Sequence, residues 1–408
     1  MAYWETRPLS EVCEIKPTKS KAKAMLTDED EVSFVPMEDM GIGVKHLNAS
    51  RTRRLGEVFS SYTYFADGDV LLAKITPCFE NGKLGIARDL MNGVGFGSSE
   101  YIVFRPSPSL DAEFLYYYLT RQKFRDEGVR TMTGAVGHKR VSKDFVESYL
   151  IRVPPLSEQR RIVEILDEIS DSIDVAKNNT SKNLSNGREL FESFLQNTFT
   201  QKESEWEETT LGEVCKFVGG SQPPKSEFIS EYRDDLVRLI QIRDYKSDKH
   251  IVYIPKALAK RSCTADDVMI GRYGPPVFQI LRGLTGSYNV ALMKAVPDAR
   301  RLSKDFLFYF LKHKAIQSFI INASSRAAGQ SGLNKDTIEP YPIAFPTLTQ
   351  QAQIVSKIRS LEEALSDLEL ASLKKLAALD QLRESVLYQA FNGHLTVAKA
   401  AEEMEAVA

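Results

Sequence analysis

A block at the amino terminus returns about two hundred residues later, and a chain that repeats at that distance has few ways to fold. Trp4-Glu5 with Leu9-Ser10-Glu11-Val12-Cys13-Glu14-Ile15 comes back as Trp206-Glu207 with Leu211-Gly212-Glu213-Val214-Cys215-Lys216-Phe217. Phe114-Leu115-Tyr116-Tyr117-Tyr118-Leu119 reappears as Phe306-Leu307-Phe308-Tyr309-Phe310-Leu311, and Lys143-Asp144 as Lys335-Asp336. Val153-Pro154-Pro155-Leu156-Ser157-Glu158-Gln159 recurs as Phe345-Pro346-Thr347-Leu348-Thr349-Gln350-Gln351, each time opening a long helical pattern. A period this long lies far beyond solenoid repeats, so a whole globular-plus-helical unit is duplicated. Two similar heads on one polypeptide suit a ligand or partner that itself has two halves.

At 408 residues each copy is large enough for its own core. No apolar run approaches the roughly twenty residues of a membrane span, and the first residues lack a signal-peptide core, so the chain reads as cytoplasmic, with no membrane partner. Cys13, Cys78, Cys215 and Cys263 show no C-x-x-C spacing. Cys13 and Cys215 are repeat counterparts and read as small buried side chains, not a disulfide.

The formal net charge of −2 speaks against a polyanion partner until the chain is divided. From Trp206 to Phe345 there are 20 Lys and Arg against 15 Asp and Glu, and from Met1 to Pro155 there are 21 against 21. The helical remainder is acidic, 5 against 8 from Leu156 to Thr200 and 6 against 9 from Pro346 to Ala408. The heads are more basic than the helices, and the average conceals any local phosphate-binding face.

Each head reads as mixed α/β. Asp69–Ala73, Tyr101–Phe104, Asp267–Ile270 and Ala291–Met293 are short β-rich runs bounded by turn residues, and aromatic helices follow around Phe114 to Phe124 and Phe306 to Phe319. After each head, proline precedes a helix whose N-caps are assigned to Ser157 and Thr349. One stripe runs through Ile162, Leu166, Ile169, Ile173 and Ala176 and resumes at Leu184, Phe191, Phe194 and Leu195. The other runs through Ile354, Ile358, Leu361, Leu365 and Leu368, then Leu376, Leu379, Leu382 and Val386. Such stripes want a partner helix, and antiparallel packing against each other buries both; the plainer alternative lays each helix on its own head. The polar stretch Lys177 to Asn183 and Gly187 are expected to bend or break the first helix, Asn392-Gly393 to end the second, and the acidic tail beyond Leu395 to fray. The expected divisions are 1–155 and 206–345 for the heads, 156–205 and 346–396 for the helical regions, and 397–408 for the tail.

Catalytic apparatus is not recognisable. Gly82-Lys83 has Pro77 where a phosphate-binding loop needs glycine and Leu84 where it needs Ser or Thr. Gly93-Val94-Gly95-Phe96-Gly97 reads as a hairpin turn and not as a cofactor loop. Gly274-Pro275-Pro276-Val277 lacks the amide and the aromatic of a base-gripping methyltransferase tetrad. The five histidines are without metal-ligand spacing, and Asp69, Glu80 and Lys83 are wrongly spaced for a nuclease site.

What the heads do offer is polar loops at matching points. The first has Lys74, Thr76, Glu80, Asn81 and Lys83, then Ser98 and Ser99, then His138, Lys139 and Arg140. The second has Arg272 and Tyr273, then Ser287, Tyr288 and Asn289, then Arg326, Gln330 and Ser331. These side-chain types read base edges and clamp phosphates, so the eighteen are the candidate DNA-binding set. Singly, each is an ordinary solvated loop residue. The signal lies in equivalent positions with different contents, as two readers of different words require.

The duplicated heads, the aromatic helix, the Lys-Asp step and the Pro-x-Leu-(Ser/Thr)-x-Gln helix start resemble the DNA-specificity subunit of type I restriction-modification systems. Thr76-Pro77-Cys78-Phe79-Glu80-Asn81-Gly82-Lys83 looks like a frequent target-recognition signature; the second head departs from it, with Gly271-Arg272-Tyr273-Gly274-Pro275-Pro276 where the first has Ala73 to Cys78. The resemblance implies two tandem α/β (α+β) target-recognition domains joined by long α-helices forming an antiparallel coiled coil. It further implies a non-catalytic subunit that reads one half of a split double-stranded DNA target with each domain. Two methyltransferase subunits, which carry S-adenosylmethionine, dock on the helices, and two restriction-translocase subunits join them. A helix from about Ser157 to Phe199 spans on the order of 65 Å, enough to separate readers in successive major grooves about 34 Å apart. Two readings of other classes stand beside it: a DNA-binding or scaffold protein without enzymatic partners, and an enzyme with an unrecognised site.

Overall fold

A computed structural model of the chain describes residues 4–201, 204–274, 276–326 and 332–395. Its backbone repeats what the sequence repeats. The first head contains β1 (Glu5–Pro8), β2 (Cys13–Ile15), β3 (Glu31–Val35), β4 (Thr52–Arg54), β5 (Thr63–Ala66), β6 (Val70–Ala73), β7 (Leu84–Ile86), β8 (Val94–Gly97), β9 (Tyr101–Pro106) and β10 (Leu150–Val153). They form the pair β1-β10 and two four-stranded sheets ordered β2-β9-β6-β7 and β4-β3-β8-β5.

The second head has β11 (Glu207–Thr210), β12 (Cys215–Gly219), β13 (Leu236–Ile240), β14 (Tyr253–Pro255), β15 (Ser262–Cys263), β16 (Val268–Gly271), β17 (Gln279–Leu281), β18 (Gly286–Tyr288), β19 (Leu292–Pro297) and β20 (Pro342–Phe345). Their orders, β11-β20, β12-β19-β16-β17 and β14-β13-β18-β15, reproduce those of the first head strand for strand. In both, one central pairing is parallel, β3 with β8 and β13 with β18. A mixed sheet recurring with the same parallel neighbour marks two copies of one fold.

Of the glycine run expected to be a hairpin turn, Gly93 does turn, at positive φ, but Val94–Gly97 form β8, buried between β3 and β5. Its glycines serve packing: a Cβ on Gly95 would lie 2.2 Å from the Phe65 ring. The aromatic helices are each two helices, Ala112–Thr120 with Gln122–Arg130 and Lys304–Lys312 with Lys314–Arg326. One extended residue, Arg121 or His313, interrupts each. Cys13 and Cys215 are free and buried, and burial pushes both thiols up to about 12.

Two uninterrupted helices follow the heads, Leu156–Thr200 and Leu348–Phe391. Neither Lys177–Asn183 nor Gly187 breaks the first. Gly187 faces the other long helix, where a Cβ on it would stand 2.7 Å from Cδ2 of Leu368, the movable end of that side chain. The second helix ends as expected, with Gly393 in the left-handed region just beyond Phe391. The acidic tail lies outside the described residues.

The chain divides into two compact units, Met1–Thr180 with Leu373–Ala408, and Ser181–Ser372, so each long helix contributes one half to each unit. In the first unit Asp174 pairs with Arg383 and Lys177 with Asp380; in the second Arg188 pairs with Glu369 at 2.8 Å. As one number rises the other falls, which is the antiparallel coiled coil. The stripes also cover the heads. Ile162, Leu166, Ile169 and Ile173 share a core with Phe114, Tyr118, Leu382, Val386 and Phe391. Phe199, Val355 and Ile358 share one with Phe306 and Phe310. Packing on a head and packing on the other helix are therefore both realised, and by the same half of each helix.

The helix starts lie two residues earlier than assigned. Leu156 follows Pro155, and Thr347 caps the second helix, its hydroxyl and amide both donating to Oε1 of Gln350. The glutamine that closes each motif has a different task. Gln159, fully buried, accepts from the Asp111 amide and donates to the carbonyls of Ser109 and Pro154. Gln351, equally buried, accepts from the Ser303 amide and donates to Arg301 and Pro346. Asp111 and Ser303 are the N-caps of the aromatic helices. One side chain thus ties the start of each long helix to the start of its aromatic helix.

Candidate nucleic-acid interface

In the first head the three sequence-distant loops do meet. The Thr76 amide donates to the Lys139 carbonyl at 2.9 Å, the Val141 amide to the Lys74 carbonyl, and the Lys74 amide to the Glu100 carbonyl. Arg140 closes the cluster with a bidentate pair to Glu100, 2.9 and 2.6 Å. That hydrogen bonding holds the Glu100 carboxyl below its usual range. Lys74 Nζ donates to the Ser99 carbonyl at 3.0 Å, and Ser98 Oγ accepts from the Glu100 amide. Asn81, Ser99, His138, Lys139 and Arg140 are exposed.

Other members of the set are engaged inside the protein. Thr76 donates to Glu80, and the second carboxylate oxygen of Glu80 is buried without a hydrogen-bond partner. Lys83 Nζ donates to the Met37 carbonyl at 2.7 Å, and Asp69 pairs with Arg105, so Asp69, Glu80 and Lys83 do not form one cluster.

The second head follows the same plan with more of its polarity spent internally. Arg272 donates to the carbonyls of Leu333 and Val290, and Tyr273 beside it is partly exposed. Ser287 and Tyr288 leave the candidate set as direct contacts: both are fully buried in β18, their hydroxyls donating to the carbonyls of Arg261 and Val218. Asn289 is nearly buried and accepts from the Ala291 amide, shaping the turn into β19. Tyr288 pairs with Ile240 as Gly97 pairs with Val35, so the counterpart of Ser98 is Asn289 and not Ser287. Arg326 ends the helix Lys314–Arg326, and Gln330 and Ser331 lie outside the described residues.

One feature gave no signal in the sequence. A cleft of about 800 Å³ opens beside the first head's loop cluster, lined among others by Lys16, Lys19, Lys74, Lys143, Ser60 and Tyr62. Its walls come from separate segments spread from Ile15 to Val146, each unremarkable alone.

A head plan repeated strand for strand, each copy tied to a shared pair of helices, matches a described family. The model of the type I restriction modification DNA specificity domain matches residues 1–185 and again 203–378, and the chain belongs to that family. Among curated relatives, the Escherichia coli type I restriction enzyme EcoEI specificity subunit is 38% identical over 194 residues, 47% of this chain and 32% of that protein. The EcoAI specificity subunit of the same species is 34% identical over 193 residues, again 32% of its length. The match thus spans about a third of these relatives. The HsdS subunit from Thermoanaerobacter tengcongensis has the same fold, with a TM-score of 0.64 at 21% identity, covering 97% of this chain and 98% of that one. A chain from a structural study of type I complex assembly and conformational transition superposes with a TM-score of 0.80 at 20% identity, covering 97% and 99%.

Proposed function

We propose that this chain is the sequence-reading subunit of a type I restriction-modification complex, with each head recognising one half of a bipartite double-stranded DNA target. The observation that carries the reading is the pairing of identical head topology with non-identical loops at equivalent sheet ends. Identical scaffolds position; differing loops specify. On this reading the chain performs no chemistry itself. Methyltransferase subunits, two per chain, dock on the long helices and bring S-adenosylmethionine, and restriction-translocase subunits complete the assembly.

Co-expression with the cognate methyltransferase tests it. The expected result is co-purification at two methyltransferase chains per specificity chain, with methylated adenines or cytosines in the host genome falling within one split motif. A chain that purifies alone yet binds DNA supports the scaffold reading instead. Methyl transfer by the isolated chain with S-adenosylmethionine would establish an enzyme.

A further inference from the structure

We infer that the cleft beside the first head's loop cluster is a phosphate site that carries the DNA backbone past the base-reading loops; this rests on the DNA-reading function proposed above. Lys16, Lys19, Lys74 and Lys143 line it, together with the hydroxyl-bearing Ser60 and Tyr62. No carboxylate is among the described residues that line it. Ammonium groups with hydroxyl donors between them are what phosphodiester oxygens require. Two carboxylates stand just outside, Glu100 at 3.9 Å from Lys74 and Glu147 at 3.0 Å from Lys143. The Lys143 pair is a surface contact on one helix turn, with the lysine side chain 76% exposed, so a phosphate can replace Glu147 at little cost.

Position favours a backbone over a small anion. Lys74 and Ser99 belong both to the cleft and to the loop cluster held by Glu100 and Arg140, so the cleft continues the surface on which His138, Lys139 and Arg140 are exposed. The site is also built and not merely charged. Lys19 Nζ donates to the Phe59 carbonyl at 2.6 Å, which fixes the turn before Ser60, and the Lys16 amide donates to the Val103 carbonyl of β9. Lys21 and Lys23, close in sequence, do not line the cleft; they pair with Glu14 and Asp28.

The test uses the full chain and random-sequence duplex DNA, because phosphate contacts need no target. Lys16→Gln with Lys143→Gln is compared with Lys21→Gln with Lys23→Gln, which removes the same charge outside the cleft. Losing two phosphate contacts should make the slope of log affinity against log salt shallower by about 1.8, so the gap between parent and variant narrows about tenfold from 50 to 200 mM salt. The control pair should keep the parent slope, and unfolding followed by Trp4 fluorescence should match in all three. Equal slopes in all three proteins, or the same loss in the control, overturn the proposal while leaving DNA binding by the chain intact. A parent with no salt-dependent affinity for duplex overturns the function as well. Inorganic pyrophosphate at constant ionic strength separates the sources: if it binds the parent but not the cleft variant, while duplex affinity is unchanged, the cleft takes a small anion and the backbone track is wrong.

Discussion

Replacing Gln159 by leucine removes polarity and keeps volume, which isolates the glutamine's hydrogen bonds from its packing. The side chain makes three of them, from the Asp111 amide and to the Ser109 and Pro154 carbonyls, at 2.8 to 2.9 Å in a fully buried setting. At about 1 kcal/mol each, with the three backbone partners left unsatisfied, Gln159→Leu should cost about 3 kcal/mol or somewhat more. The loss should be local to the first unit, and Gln351→Leu should weaken the second by the same mechanism. The two tryptophans make this measurable, since Trp4 is buried in the core of the first unit and Trp206 packs against that of the second. With Trp206→Phe as background, Trp4 emission reports the first unit; with Trp4→Phe, Trp206 reports the other. At a urea dependence of about 2–3 kcal/mol/M, the affected midpoint should fall by about 1 M or more while its neighbour holds. A shift below about 0.3 M would show that the glutamine bonds contribute little, and equal shifts in both reporters would refute the assignment of each clamp to its own unit.

Three further outcomes follow from single side chains. Burial holds the His313 imidazole below its usual range, so the folded second unit binds this proton less readily than the unfolded chain. Its stabilising effect is complete above about pH 6.5 and declines as pH falls below it; the Trp206 midpoint should drop on acidification, and His313→Gln should flatten that dependence. Gly95→Ala sets a methyl into the Phe65 ring and should destabilise the first unit by about 1–3 kcal/mol in the Trp4 assay, with an unchanged midpoint meaning the sheet yields freely. Gly187→Ala gains about 1 kcal/mol of helix propensity, and the only atoms in its way are the mobile ends of Leu368 and Leu365, so the second unit should not lose stability; Gly187→Val adds branches against those ends and should lower its midpoint.

Duplication, the tandem heads and the paired helices were legible because they rest on long, strongly patterned segments such as Ile354 to Val386. The glutamine motif was legible as a motif but not as a clamp, since its partners at Ser109 and Arg301 lie some fifty residues earlier. The helix starts are displaced because Ser157 and Thr349 are good capping types that stand two residues too late, while Thr347 with Gln350 caps the second helix. The intrinsic cost of Gly187 in a helix suggests a break, whereas the helix runs through it uninterrupted from Leu156 to Thr200. The second head's candidates slipped by a residue or two because fourteen residues separate Gly271 from Gly286, against twenty between Ala73 and Val94, and unequal loops hide the true counterpart. The lysine cleft depends on bringing Lys16, Ser60, Tyr62 and Lys143 together, which no local pattern encodes.

The central claim is that each head reads its own half of one DNA target, and exchanging a head tests it most directly. Residues Met1 to Val153 are replaced by the corresponding head of a family relative, the cognate methyltransferase is co-expressed, and methylated positions are mapped across the host genome for parent and chimaera. The expected parent motif is split, and the chimaera should keep one half unchanged while the other half takes a new sequence. A single contiguous motif in the parent, or a chimaera in which both halves change or neither does, would contradict the account.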